Sequence, residues 1–162
     1  MKLYLREKLI SLHNRYFIYN EDGEQVYELV SKYFSAGDKT KLLDMNGNEL
    51  VYVEQELFHL RPVYLIYIGG IHTATVKKKT FVGLPIYEVS ELGYRVDGDW
   101  FSTEFNIINA NDNLIASAKR KIISIGDKYQ LEIFDDNNYL VILGILMAII
   151  NVVDDNQNAA SN

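Results

Sequence analysis

Along most of the chain, hydrophobic and polar positions alternate with a period of two. Short runs rich in Tyr, Val, Ile and Thr occupy residues 16–19, 26–30, 63–68, 72–76, 87–90, 105–108, 114–118 and 130–134. Between them stand turn signals: Asp22-Gly23, Asn46-Gly47, Gly69-Gly70, Asp97-Gly98 and the polar run 109–113. β-Branched and aromatic side chains fit a pleated surface, and Asn-Gly or Asp-Gly tolerates the positive φ of a tight hairpin turn. The spacing predicts about a dozen short strands, hence a sandwich or a barrel. Residues 53–60 are expected to depart from this pattern as a short helical turn.

The period changes near the end of the chain. Residues 139–153 are apolar on every face, interrupted only by Gly144 and Asn151. Leu, Ile and Met favour a helix, with Asp136 or Asn137 placed as its N-cap. A helix without a polar face must be enclosed on all sides, by protein or by lipid. Length decides: fifteen residues cover roughly 22 Å, whereas a bilayer core of about 30 Å needs about 20 residues. The flanking residues are Asp135, Asp136, Asp154 and Asp155, not the Lys, Arg or Trp that anchor a span. The run therefore reads as the core of the strands and not as a transmembrane span. One domain is expected over residues 1–153, followed by a flexible polar tail, 154–162.

An internal echo supports closure. Phe34-Ser35-Ala36-Gly37-Asp38-Lys39 matches Ile123-Ser124-Ile125-Gly126-Asp127-Lys128 at an offset of 89 positions. The match extends to Val26 with Ile115, Lys32 with Lys121 and Leu42 with Leu131. Two copies are too few for a solenoid and suggest a closed, pseudo-two-fold sheet. The fold class is thus mostly β: a closed barrel of about twelve strands around a central hydrophobic C-terminal α-helix.

Composition narrows the chemistry. With 162 residues, no cysteine and a net charge of −6, the chain has no disulfide framework and no thiolate site. The acidic balance opposes general nucleic-acid binding. The N-terminal stretch Met1-Lys2-Leu3-Tyr4-Leu5-Arg6-Glu7-Lys8 lacks the apolar core of a signal peptide, so a cytoplasmic location is expected. His13, His59 and His72 are scattered without metal-ligand spacing, and neither a Gly-x-Ser-x-Gly elbow nor a phosphate-cradling glycine loop is present. Asp97-Gly98-Asp99 and Asp135-Asp136-Asn137-Asn138 lack the full calcium-loop pattern and read as a tight turn and a helix cap. No catalytic set, metal site or cofactor is expected.

Nearly the whole chain resembles the LOR family, whose fold is similar to the C-terminal domain of Tubby proteins and is shared by phospholipid scramblases. The resemblance is carried by Tyr4-Leu5-Arg6-Glu7-Lys8, Ser31-Lys32-Tyr33-Phe34-Ser35-Ala36-Gly37-Asp38 and Leu43-Asp44-Met45-Asn46-Gly47. It continues through Leu60-Arg61-Pro62, Ala74-Thr75-Val76-Lys77-Lys78-Lys79, Val96-Asp97-Gly98-Asp99-Trp100 and the apolar helix. It implies a twelve-stranded barrel closed around one helix and no established enzymatic activity.

Two acid-free stretches, 71–81 and 115–125, hold Lys77, Lys78 and Lys79 and then Lys119, Arg120 and Lys121. If Ala74, Val76, Ala116 and Ala118 face inward, period two turns Thr73, Thr75, Lys77 and Lys79 outward, with Ser117, Lys119 and Lys121. Hydroxyls and ammoniums together can hold phosphate oxygens. The resemblance to Tubby domains, which bind phosphoinositide headgroups through basic residues on such strands, implies the same here. Alone, each row reads more readily as a device for solubility and against edge pairing, and the overall acidity opposes attraction to an anionic membrane. The expected function is a non-enzymatic binding or scaffolding domain that contacts anionic lipid headgroups or a protein partner through Lys77, Lys79, Lys119 and Lys121. The alternative is a tail-anchored, scramblase-like membrane protein.

Overall fold

A computed structural model describes residues 1–10, 13–32, 37–79, 86–99, 104–120 and 127–160. The strands are β1 (Lys2–Ile10), β2 (His13–Tyr19), β3 (Gln25–Lys32), β4 (Lys39–Asp44), β5 (Glu49–Glu56) and β6 (Val63–Ile68). They continue as β7 (Ile71–Lys79), β8 (Ile86–Val89), β9 (Tyr94–Asp99), β10 (Glu104–Ile108), β11 (Leu114–Lys119) and β12 (Asp127–Ile133). Each pairs antiparallel with its sequence neighbours, and β1 closes the barrel against β12 with Leu3 opposite Leu131. Closure leaves no edge strand, which removes the hazard of edge-to-edge pairing.

Inside runs α1 (Tyr139–Ala160). Residues 141–152 are all buried, so the all-round apolarity of this segment is matched by a wall on every side. The strands present alternate apolar side chains to it, among them Leu5, Ile18, Leu29, Leu42, Val51 and Ile66. Gly144 faces β5 and β6 so closely that a Cβ would stand 2.7 Å from Ile66 Cγ2 and 3.2 Å from Val51 Cγ1. On another face Leu143, Leu146, Met147 and Ile150 meet β1–β4 and β12, enclosing a void of only ≈ 10 Å³. That is about the minimum for one water, and the walls offer no polar partner. The barrel is filled.

Several details differ from the sequence reading. The helix does not stop at Val153: its backbone continues to Ala160, so most of the expected tail prolongs α1. Asp136 and Asn137, expected as the helix cap, lie in a 3₁₀ turn (Asp136–Asn138) that leads into α1 and is itself capped by Asp135, whose carboxylate accepts from the Asn137 backbone N–H at 3.2 Å. Gly98 lies within β9 and not in a turn. It sits opposite Phe105, and a Cβ there would be 2.6 Å from that ring. Residues 53–56 belong to β5 and not to a helical turn.

The echo at 89 positions maps hairpin β3–β4 onto hairpin β11–β12, and its matched leucines, Leu42 and Leu131, both pack on α1. These hairpins stand four strands apart one way round the barrel and eight the other. The repeat is of a hairpin and not of a six-stranded half. Phe34, Ser35, Ala36 and the residues from Ile123 to Gly126 lie outside the described residues.

Candidate functional site

With the interior occupied, any ligand must be met on the outside. An up-and-down barrel sorts its connections into two ends, and the balance of charge differs between them. One end holds the β2–β3, β4–β5, β6–β7, β8–β9 and β10–β11 turns and the start of α1. It carries Glu21, Asp22, Glu24, Asp44, Glu91, Asp112, Asp135 and Asp136. Its turns are closed by side chains: Asp44 accepts from the backbone N–H groups of Asn46 and Asn48, each at 2.8 Å, and Asn109 from Asn111 and Asn113. Hydrogen bonds from Asn48 and Asn46 hold the Asp44 carboxyl below its ordinary range. Here the amino terminus, Lys2 and Arg95 are matched to Asp136, Glu132, and Asp97 with Asp112.

The opposite end gathers the β3–β4, β5–β6, β7–β8 and β11–β12 connections and the far end of α1. Lys39, His59, Arg61, Lys77, Lys78, Lys79, Lys119 and Arg120 lie at or beside it, interspersed with Asp38, Glu56, Glu88, Asp99, Glu104 and Asp127 and with Asp154 and Asp155 on the far part of α1. Lys77 and Lys79 are exposed near the end of β7, and Lys119 is exposed at the end of β11. Lys121 lies outside the described residues. Both strands run in the same direction, so both rows reach the same end. They are four strand steps apart, roughly 19 Å around the wall at the usual strand spacing. Carboxylates stand between: Lys79 Nζ is 2.9 Å from Glu88 Oε2, and Lys119 Nζ is 3.1 Å from Glu104 Oε1.

The hydroxyls expected to join the ammoniums are engaged or covered. Thr75 is 5 % exposed; its backbone N–H and its hydroxyl both donate to Glu91, at 2.6 and 2.7 Å. Ser117 is buried as well. Burial opposes ionisation of Glu91, but the hydrogen bonds from Thr75 and the nearby His72 outweigh it and hold this carboxyl below its ordinary value. Because the barrel is closed, the alternative reading of these lysines as guards of an edge strand has no edge to guard.

Two surface features escaped the sequence pattern. The first is a row of register partners across the outer wall: Lys41, Tyr52, Tyr67 and His72, on β4 to β7. Lys41 Nζ lies 5.7 Å from the Tyr52 ring centre and 2.6 Å from Glu49 Oε2. The Tyr52 and Tyr67 rings are 5.9 Å apart. Burial, with the hydrogen bond to Glu54, pushes the Tyr52 hydroxyl up to about 12. Period-two alternation marks these positions only as outward, because cross-strand register is invisible in one strand at a time.

The second is the β5–β6 connection, Leu57-Phe58-His59-Leu60-Arg61-Pro62. Phe58 and Leu60 are 103 % and 106 % exposed, the most exposed large apolar side chains among the described residues. Phe58 has φ 68°, which a bulky residue adopts only under constraint. Between this loop and β7 lies a depression of ≈ 320 Å³ lined by His59, Leu60, Arg61, Pro62, Lys77 and Lys78. A triplet of large apolar residues between Glu56 and Arg61-Pro62 was the available signal, and it was read as a helical face.

No group of three or more His, Asp or Glu side chains among the described residues could hold a metal ion. No described helix is long and apolar enough to cross a membrane. Since α1 is enclosed by the barrel, the tail-anchored alternative loses its anchor.

The profile of the LURP-one-related (LOR) family matches residues 1–150. The chain belongs to this family. It is 31% identical over 149 residues to the uncharacterized protein YxjI of Bacillus subtilis (strain 168), a match covering 92% of this chain and 91% of that one. It is also similar to the X-ray structure of a protein from Arabidopsis thaliana, with a TM-score of 0.67 and 17% identity over 94% of this chain and 91% of that chain. That likeness concerns fold alone. In this LOR domain, as the resemblance to Tubby C-terminal domains implied, a closed barrel of twelve strands surrounds one helix.

Proposed function

We propose that this LOR domain is a non-enzymatic binding module whose lysine-bearing end contacts anionic phospholipid headgroups, with Lys77, Lys79, Lys119 and Lys121 as the contributing ammoniums. The observation that carries the reading is the unequal charge of the two ends: carboxylates dominate one, while at the other both lysine rows offset the carboxylates among them. An acidic protein with a net charge of −6 is repelled by an anionic surface in most orientations. The lysine end is the orientation in which that repulsion is least. The filled interior favours surface contact over enclosure of a ligand, and the resemblance to Tubby domains favours headgroups as the class.

Magnitude limits what the lysines do alone. Each is worth about 1 kcal/mol near an anionic surface, so four supply about 4 kcal/mol, or about millimolar affinity. Lys79 and Lys119 also share their charge with Glu88 and Glu104, which lowers this further. Contact is therefore weak and salt-sensitive unless another element adds to it. Co-sedimentation with phosphatidylserine vesicles at low and physiological salt tests the reading. Changing all four lysines to Gln should abolish the salt-sensitive fraction; equal sedimentation of parent and variant would reduce these lysines to solubility devices and leave a protein partner as the ligand.

A further inference from the structure

We infer that the β5–β6 loop is an apolar membrane anchor: Phe58 and Leu60 enter the interfacial layer of an anionic bilayer while Arg61, Lys77 and Lys78 meet its phosphates. The inference rests on the headgroup reading above and supplies the element that reading lacks.

Two side chains two residues apart project fully into solvent at the lysine-bearing end, and a third, Leu57, is 40 % exposed beside them. Single exposed apolar residues are ordinary on a protein surface, but a fully exposed Phe and Leu on one short connection are not. The end of β5 that leads into the loop is pinned to the β3–β4 connection. Gln55 donates its backbone N–H to the Asp38 carbonyl at 2.8 Å, and Gly37, at φ 82°, leaves only 2.9 Å between a would-be Cβ and the Gln55 carbonyl. Phe58 combines a positive φ with a fully exposed side chain. Glu56, the carboxylate nearest the tip in sequence, is 3.0 Å from His59 Nε2 and does not face the bilayer unaccompanied.

Size selects the occupant. A stable protein interface needs about 800 Å² per partner, and one six-residue connection carrying two fully exposed apolar side chains offers far less. Partition into a lipid interface needs only a few apolar side chains with cations beside them, and this arrangement of Phe, Leu, Arg and Lys provides that. Arg61 and Lys77 are exposed on the depression beneath the tip, so insertion brings them to headgroup depth.

Because the chain has no cysteine, Leu60→Cys and, at the opposite end, Asn46→Cys each give one site for an environment-sensitive fluorophore. With phosphatidylcholine vesicles containing phosphatidylserine, the label at position 60 should shift to the blue and be quenched by spin-labelled lipid, while the label at 46 stays in water. Phe58→Ser combined with Leu60→Ser should weaken sedimentation at physiological salt about tenfold or more. Sedimentation with an unshifted label at position 60 would overturn the anchor and leave the headgroup reading standing. Absence of sedimentation at low salt would overturn both. A blue shift that grows with protein concentration without vesicles would replace the bilayer with a second copy of the chain.

Discussion

Asn151 on the buried helix and Thr40 on the inner face of β4 hold each other across the core. Asn151 Nδ2 is 3.0 Å from Thr40 Oγ1, which lies 3.2 Å from Asn151 Oδ1 and 3.1 Å from the Ser31 hydroxyl. All three residues are buried. An apolar helix in an apolar barrel has little to fix its axial position, and one directional polar contact supplies that register, as a buried Asn does in coiled coils.

Thr40→Val leaves the Asn151 amide buried without its partner and should cost about 1–3 kcal/mol in urea unfolding. Thr40→Val with Asn151→Leu should cost less than the sum of the single changes. Additive effects would show that the pair is not coupled.

Gly144→Ala improves helix propensity by about 1 kcal/mol yet should destabilise by about 1–3 kcal/mol, because the new methyl meets Ile66 Cγ2 at 2.7 Å. Ile66→Ala removes the contacting Cγ2 methyl, so the two changes together should cost less than the sum of the single changes. A raised melting temperature in Gly144→Ala would mean that the helix does not lie this close to β6.

Strand number, the enclosed helix and the family were legible in the sequence because each rests on a strong local signal. Residues 63–68 are β-branched or aromatic at every position but Leu65, and 141–152 are apolar on all faces but for Asn151. The loop after Glu56 was misread because Leu57, Phe58 and Leu60 resemble one face of a helix, and Pro62 stops either structure. The inner-face polar pair was invisible: Asn151 looked like an interruption, since its partner lies 111 residues away. Of the candidate site, the lysine rows were legible as outward residues. Their common end and their distance apart around the wall required the strand order.

Phe58→Asn should leave stability unchanged or raise it by up to about 1 kcal/mol, since Asn accepts positive φ more readily and no packing is lost at a fully exposed side chain. The same change should weaken vesicle binding. Thermal melts beside co-sedimentation check the pair of effects, and a destabilised variant would contradict the strained, unpacked reading of this residue.

Among the described residues two carboxyls, Asp44 and Glu91, are held below their ordinary range, and the one bound to a different element is Glu91. Its folded value lies below the ordinary 4.5, so its contribution is present above that value and is lost as pH falls through the folded one. Glu91→Gln keeps an acceptor for Thr75 and should flatten the acid limb of a stability–pH profile while leaving the region near neutrality less affected. An unchanged acid limb would show that the carboxylate gains nothing from Thr75 in the native state.

The most direct test of which end of the barrel meets a membrane is hydrogen–deuterium exchange with and without phosphatidylserine-containing vesicles. The account predicts slowed exchange in residues 57–62 and 77–79, with no change in the turns at 44–48 and 109–113. Protection of those acidic-end turns, or identical exchange throughout on vesicles that do bind the protein, would contradict it.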